Sequence, residues 1–408
     1  MIGRGERMEK KRRQIPLIER WESDIKAYEK NVEVKTASPQ CTKCNNVIKS
    51  DALHCCFYKD EQKPKYVLFC KKECSSFESI DNLQIENLSD EESKLYGGLL
   101  GFCIGDMLGV PVEFSTRKER LMDEVKELRA YGTYHQPFGT WSDDTSMTLC
   151  LIDAINTGFT LQKLADNFLK YYYEGAFTPY NEVFDIGTST KNAIQNIKNG
   201  MNLTECGGVK ESDNGNGSLM RVLPLAYIGA FTEKKDLKKI TESVSSLTHA
   251  HSRAKLACII YVIFAYELIL GNEKMKALDN MVQYIKDKCK EDYLNEFPYF
   301  KNILDKSIIT CNEINIKSTG YVVDTLEAVF WLFFNFNSYQ SIVIKAVNLG
   351  GDTDTIAAIA GGIAGIYYGF RSIPDRWVQN IEKKQEIYDM ITKFYHVVKD
   401  HYFSHDIV

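Results

Sequence analysis

From residue 93 onward, apolar residues recur every three or four positions over long segments, with polar residues between them. This spacing is typical of amphipathic α-helices. The pattern predicts helices over residues 95–108, 147–155, 161–172, 182–198, 250–270, 276–288, 322–336, 341–347 and 356–369. No series of alternating strands occurs, so the sequence predicts an all-α domain. In the first of these segments, small residues at Gly97, Gly98, Gly101 and Gly105 predict a close helix contact.

Two acidic, hydroxyl-rich tetrads each stand directly ahead of an apolar helical run. Residues 142–145 are Ser-Asp-Asp-Thr, and residues 352–355, which follow Gly350 and Gly351, are Asp-Thr-Asp-Thr. Their side chains offer only oxygen ligands, which hard cations such as Mg²⁺ and Mn²⁺ prefer. Helix capping is the alternative, because Asp, Ser and Thr are favoured N-caps, although one cap needs only one side chain. The spacing alone leaves both interpretations open.

The composition limits the classes of function. The chain has 408 residues, of which 44% are hydrophobic and 26% charged, and its net charge of −5 argues against nucleic acid as a partner. The first twenty residues lack a secretory apolar run, and the longest apolar stretch, residues 356–370, is short for a membrane span. Single cysteines scattered through the long chain are typical of reduced thiols. We therefore expect a cytoplasmic protein with no membrane partner.

The N-terminal part differs in composition from the rest. Residues 1–35 form a charged tail, residues 36–80 hold six of the twelve cysteines, residues 93–395 form the main domain, and residues 396–408 form a C-terminal tail. Two short-spaced cysteine pairs about 25 residues apart predict a small module around one structural Zn²⁺. The preferred ligands are Cys41, Cys44, Cys70 and Cys74, with Cys55 or His54 as substitutes. Reduced cysteines without a metal are the alternative.

Three further motifs accompany the tetrads. Residues 105–109 (Gly-Asp-Met-Leu-Gly) lead to Glu113, residues 215–221 read Gly-Asn-Gly-Ser-Leu-Met-Arg, and Thr248-His249 precedes a predicted helix. In this order, the five motifs resemble those of the ADP-ribosylglycohydrolase family, related to dinitrogenase reductase-activating glycohydrolase. The resemblance covers residues 93–395 and does not include the cysteine-rich segment.

The resemblance implies a compact orthogonal helical bundle with a binuclear centre of two Mg²⁺ or Mn²⁺ ions. It implies these metal ligands: Ser142, Asp143, Asp144, Asp352, Asp354 and Thr355. The family usually has Thr at the first of these positions, and Ser142 keeps the oxygen donor. Glu113 matches the family's acidic residue near the metals, and either Glu113 or Asp144 can act as the catalytic base. Asp106 is expected to support the site.

The same resemblance implies where the substrate binds. Gly215, Asn216, Gly217 and Ser218 would offer backbone amides to the diphosphate of ADP-ribose. His249 would contact phosphate or ribose, with a structural role as its alternative. Arg221 is expected to be a buried ion-pair partner.

The function implied is hydrolysis of the bond between ADP-ribose and a modified protein side chain. Arginine is the preferred attachment; serine-, nucleobase- and acetyl-linked ADP-ribose are alternatives. A second hypothesis is an immunity-type protein whose N-terminal extension also binds and blocks an ADP-ribosyltransferase. A third is a catalytically inactive relative, against which the intact acidic residues argue.

Overall fold

Residue 85 and residues 87–229 and 234–399 are described by the computed structural model. The predictions for residues 1–35 and 36–80, including the zinc ligands Cys41, Cys44, Cys70 and Cys74, lie outside the described residues. The last described helix ends at Lys399, within the segment predicted as a C-terminal tail.

The described residues form sixteen α-helices: α1 Asp90–Gly109, α2 Arg117–Met122, α3 Asp143–Asn156, α4 Leu161–Glu174, α5 Thr188–Lys198, α6 Pro224–Ile228, α7 Lys234–Ser246, α8 Ser252–Ile269, α9 Lys274–Lys288, α10 Lys290–Tyr293, α11 Lys301–Leu304, α12 Val322–Asn335, α13 Tyr339–Val347, α14 Thr353–Tyr368, α15 Asp375–Asn380 and α16 Lys384–Lys399. Short 3₁₀ helices lie between them, at Val110–Val112, Gly132–Tyr134, Glu211–Asp213, Leu219–Arg221, Leu294–Phe300, Ser307–Thr310, Glu313–Asn315 and Phe370–Ser372. Only isolated β-bridges occur in this part of the chain. The predicted all-α fold is confirmed.

Helices α1 and α14 cross in backbone contact along a glycine seam. The α1 side of this seam has a glycine every fourth residue, at Gly97, Gly101, Gly105 and Gly109. A Cβ added to Gly105 would lie 2.0 Å from the Ala357 carbonyl oxygen. The predicted close contact is therefore confirmed, with no layer of side chains between the two helices.

The glycine seam also places the second tetrad. At the C-terminal end of α1, a Cβ on Gly109 would lie 2.3 Å from the Asp354 backbone nitrogen. The chain then continues through Val110–Val112 to Glu113. Packing of α1 on α14 thus brings Glu113 and the second tetrad into the same region.

The helices around the seam form one apolar core. Ser252–Ile269 (α8) is buried over most of its length, and its Tyr261 hydroxyl donates to the Ile359 carbonyl at 3.0 Å. Among the described residues, Asp90–Val112 is the one stretch long and apolar enough to cross a membrane, and its most apolar 18-residue window is wholly buried inside the protein. Its apolar character is therefore accounted for by core packing.

The structure differs from the predicted helices in several places. The helix predicted over residues 182–198 begins only at Thr188, because Gly187 is extended and Asp185 has a φ of +50°, which an α-helix cannot contain. Seven of the described helices were not predicted: α2, α6, α7, α10, α11, α15 and α16. Among these, α7 and α16 are long and amphipathic. The non-helical stretch before α5 matters for the site below.

Candidate active site

The first tetrad lies at the N-terminus of α3, where a carboxylate from α1 accepts the free amides. Asp106 accepts hydrogen bonds from the backbone N–H groups of Ser142, at 2.9 Å, and Thr145, at 3.0 Å. It also accepts from the Thr145 hydroxyl at 2.6 Å, while Ser142 caps the Asp144 amide. Because Asp106 and Ser142 do the capping, the Asp143 and Asp144 carboxylates are left for another role.

The second tetrad follows a tight glycine turn. Gly350 and Gly351 have φ values of +72° and +75°, and a Cβ on Gly350 would lie 2.6 Å from the Ser115 carbonyl oxygen. The Gly351 N–H donates to the Ser115 carbonyl at 2.7 Å. Asp352 then accepts a hydrogen bond of 2.7 Å from the Asn216 side-chain amide. The turn thus ties the second tetrad to the segment that carries Glu113.

The two tetrads meet in the interior. The Thr355 hydroxyl and the Ser142 hydroxyl each donate to the same oxygen of Asp144, both at 3.2 Å. Four carboxylate oxygens in this region are buried without a hydrogen-bond partner: Glu113 Oε2, Asp144 Oδ1, Asp352 Oδ1 and Asp354 Oδ2. Such atoms destabilise a fold unless something compensates them. Carboxylate and hydroxyl oxygens are the ligands that hard divalent cations prefer, so this cluster of residues is suited to binding such ions.

Burial and mutual repulsion shape the protonation of this cluster. Burial raises the pKa of Glu113 to about 9, and the charges of Asp185 and Asp352 add to the increase. Burial also holds the pKa of Asp143, of Asp144 and of Asp354 well above the usual range. These acids resist becoming anions unless positive charge is supplied.

Asp185 belongs to this cluster, and sequence reasoning missed it. One carboxylate oxygen from each of Glu113, Asp185 and Asp354 lies within 4.8 Å of the others, close enough to share a cation. The Tyr134 hydroxyl interacts with the side chains of both Glu113 and Asp185. Gly187, two residues after Asp185, was the available indication that the helix starts late and that Asp185 lies in a loop.

The glycine-rich loop before α6 is partly occupied by contacts within the protein. The Asn216 backbone N–H donates to the Gly320 carbonyl at 3.0 Å, and its side chain holds Asp352. The Ser218 hydroxyl is fully buried and accepts from the Ser245 hydroxyl at 2.9 Å. The Asn216 amide is therefore already engaged, and contact of the Gly215, Gly217 and Ser218 backbone amides with a diphosphate stays a prediction.

His249 lies against this loop. A Cβ on Gly217 would approach its Cε1 atom to 2.8 Å, and the Thr248 hydroxyl lies 2.8 Å from its Nδ1. Burial, assisted by the Arg221 charge, lowers the pKa of His249 to about 3, so its ring is neutral at physiological pH. Thr190, which sequence reasoning also missed, has a buried hydroxyl without a partner, 3.0 Å from the same added Cβ. Gly217, His249 and Thr190 therefore converge on one position.

Arg221 supports the loop in a way that the sequence did not predict. Its guanidinium donates to the carbonyls of Gly217, at 2.7 Å, and Val244, at 3.1 Å, and lies 4.9 Å from the centre of the Phe168 ring. Carbonyl groups and an aromatic ring replace the expected ion pair, because the segments packed around this side chain offer backbone acceptors.

Comparisons with known proteins agree with these features. A family model described as ADP-ribosylglycohydrolase matches residues 87–402. An ADP-ribosylarginine hydrolase of Pseudomonas putida (strain GB-1) is 32% identical over 296 residues, covering 71% of this chain and 75% of the relative. An ADP-ribosyl-(dinitrogen reductase) glycohydrolase of Rhodospirillum rubrum is 29% identical and covers 71% of this chain and 90% of that protein.

Two further similarities extend this range. The ADP-ribosylhydrolase ARH3 of Danio rerio is 27% identical over 338 residues, covering 74% of this chain and 90% of the relative. A solved structure described as an ADP-ribosylglycohydrolase-related protein complex has a TM-score of 0.64 at 28% identity, covering 76% of this chain and all of that one.

Proposed function

The chain belongs to the ADP-ribosylglycohydrolase family, and we propose that it hydrolyses the bond between ADP-ribose and a modified arginine side chain, using two Mg²⁺ or Mn²⁺ ions. The observation that carries the proposal is the set of four buried, partnerless carboxylate oxygens where the two tetrads meet. A protein that kept these acids for stability alone would pair them with hydrogen-bond donors.

The tetrads supply the ligands for the ions: Ser142, Asp143, Asp144, Asp352, Asp354 and Thr355. When bound, such ions supply positive charge that orients ribose hydroxyls and stabilises developing negative charge. Asp185 is a further candidate ligand, because its carboxylate lies with those of Glu113 and Asp354.

The proton transfers are assigned to carboxylates of this chain. Glycoside hydrolysis passes through an oxocarbenium-like state and needs an activated water and a protonated leaving group. Glu113 Oε2 is buried and without a hydrogen-bond partner, which suits an atom that gives or takes a proton. Glu113 and Asp144 are both candidates for the base that activates water.

Neutral groups are assigned to the diphosphate. The backbone near Gly215 and Gly217 offers amides, and Thr190 adds a buried hydroxyl. Because its low pKa keeps His249 neutral, His249 would contact phosphate or ribose through a hydrogen bond and not through a charge. Neutral donors hold the substrate without adding charge beside the acidic cluster.

Arginine is the preferred attachment because a relative similar over most of the chain is named an ADP-ribosylarginine hydrolase. The test is a release assay with arginine-, serine-, nucleobase- and acetyl-linked ADP-ribose, with Mg²⁺, with Mn²⁺ and with EDTA. We expect release from the arginine-linked substrate only when a divalent ion is present. Release in EDTA would contradict the metal requirement, and release from another linkage alone would contradict the arginine preference.

Two other predictions concern residues outside the described part of the chain, and a third concerns the location of the protein. Binding of an ADP-ribosyltransferase by the N-terminal extension, the structural Zn²⁺ and the cytoplasmic location stay predictions. Comparing the full chain with one that starts at Ile85 tests the first of these: equal affinity for a transferase would remove the docking role.

A further inference from the structure

An open cavity of about 680 Å³ lies beside Glu113. Its lining combines the apolar Pro111, Val112, Phe114 and Met122 with Thr133 and three charged residues, Glu119, Arg120 and Asp123. Its lining includes Glu113 but no residue of the tetrads, of the glycine-rich loop or His249. The cavity thus borders Glu113, the residue proposed to be catalytic, without including the residues assigned to ADP-ribose.

Phe114 is presented to this cavity by a strained backbone. Its φ is +60°, a conformation that L-residues with bulky side chains rarely adopt, and its side chain is 67% exposed. Its N–H donates to the Gly351 carbonyl at 2.8 Å, and the Gly351 N–H returns a bond to Ser115. Strain of this kind persists only where neighbouring contacts enforce it, and it is concentrated at functional sites.

Among the described residues, Phe114 is the one aromatic residue that lines the cavity, and further aromatic and acidic residues contact Phe114 and Glu113 from outside the lining. The Tyr134 ring packs edge-to-face on Phe114, with centroids 6.5 Å apart, and lies 5.3 Å from the Phe184 ring. The Tyr134 hydroxyl interacts with Glu113 and Asp185, and the Thr133 hydroxyl donates to the Glu113 carbonyl at 2.8 Å. Aromatic surface and acidic groups are therefore neighbours here.

We propose that this cavity is the leaving-group subsite and that Phe114 selects a guanidinium there. The assignment rests on the proposed hydrolysis of ADP-ribosylated side chains. A guanidinium is a planar cation that stacks on aromatic faces and donates to carboxylates, so Phe114 and Glu113 together suit it. A serine side chain has no charge and no planar face, so it cannot stack on Phe114.

Two other acids that line the cavity do not explain such selection. Glu119 accepts hydrogen bonds from the Thr116 amide and hydroxyl at the start of α2, and Asp123 is paired with Arg129. Arg120 also lines the cavity, but its guanidinium donates to the Asp123 carbonyl at 2.9 Å. Because these three charged side chains already have partners, we assign the selection to Phe114.

The test compares Phe114→Ala with Leu121→Ala. Leu121, which is 77% exposed in α2, does not line the cavity and serves as the matched control. We expect Phe114→Ala to raise KM for arginine-linked ADP-ribose about tenfold, with kcat changed less than about twofold. Inhibition by a blocked arginine, acetyl-arginine amide, should weaken by the same factor, while inhibition by free ADP-ribose stays at the wild-type value. Phe114→Trp should restore the KM for arginine-linked ADP-ribose and the inhibition by acetyl-arginine amide.

A second variant keeps the test independent of Phe114. Met122→Lys places a cation at a lining position that is 75% exposed and should raise the same KM and weaken acetyl-arginine amide, again without affecting ADP-ribose. Wild-type constants in both Phe114→Ala and Met122→Lys, or equal losses in Leu121→Ala, would overturn the subsite while arginine hydrolysis stands. No release from arginine-linked substrate by the wild type would instead be a failure of the proposed function.

Discussion

The two acidic tetrads contribute to one cluster from different local structures. The first begins α3, where Ser142 and the Asp106 carboxylate satisfy the helix amides. The second begins α14, whose N-cap Asp352 makes no side-chain capping bond and which follows a turn of two glycines. The amides of the first tetrad are held by a side chain, whereas the second tetrad is placed by a glycine turn and one hydrogen bond from Asn216.

This difference separates helix capping from cation binding. At the first tetrad the capping interpretation is partly correct, since Ser142 is the cap and Asp106 assists it. At the second tetrad, side-chain capping does not account for the acids, because the side chain of Asp352 is held by Asn216. The two tetrads should therefore respond differently when either kind of support is removed.

The largest effect is expected from Asp354→Asn, which keeps the shape of the side chain but removes its charge. We expect kcat/KM to fall at least about 100-fold, because a proposed cation ligand is weakened. The metal-free variant should melt at a higher temperature than the metal-free wild type, because a fully buried carboxylate has been neutralised. Activity within tenfold of the wild type would contradict a ligand role.

Asp106→Asn should break the first tetrad's support instead. The amide can present only one oxygen to donors that Asp106 meets with two, so we expect a loss of about 1–3 kcal/mol in the free energy of unfolding. Activity should fall about 10–100-fold, as for groups that orient ligands. Denaturant titration and kinetics check this. Asp166→Asn, at an exposed position in α4, is the control. Equal stability losses in the two variants would refute the support by Asp106.

Gly350→Ala should break the second tetrad's support. Gly350 and Gly200 have similar φ values of +72° and +79°, but only at Gly350 would an added Cβ meet backbone, whereas at Gly200 nothing lies within 4 Å. Both variants should lose about 1–2 kcal/mol from backbone strain. Only Gly350→Ala should also bind Mn²⁺ about tenfold more weakly by calorimetry. Equal Mn²⁺ affinities in the two variants would refute the backbone support.

The smallest effect is a pH dependence of the metal-free protein. Because the pKa of folded Glu113 is raised to about 9 from an ordinary 4.5, its contribution to stability is full below pH 4.5 and is lost as pH rises through 9. In EDTA, the melting temperature should therefore fall as the pH rises from 7 to 9. This range lies above the ordinary histidine pKa of 6.5, so titration of histidines contributes little to the change. Mg²⁺ should flatten the decline. A metal-free melting temperature that rises over this range would refute the expectation.

The sequence predicted the fold class and the approximate positions of the central helices, because their buried faces give the apolar residues a clear helical spacing. It did not predict α7, whose sequence is rich in lysine and serine. Asp185 and Thr190 were missed for another reason. Their place in the site depends on where the Asp185 loop and the start of α5 pack, and no local pattern records that. The roles of the predicted ligands stay predictions, although the structure brings the tetrads together.

The glycine seam between α1 and α14 has a consequence for how the protein can change. Elsewhere in the core, one aliphatic residue can replace another by small rotamer adjustments. At Gly105 and Gly109 the two backbones touch, so no side chain is available to absorb an error. The distance between the two helices, and with it the size of the active site, is thus set by contact between the two backbones. The spacing of the two helices can therefore stay constant while residues of the surrounding core are replaced. Any residue larger than glycine in the seam would push the helices apart and move the acidic residues of the site.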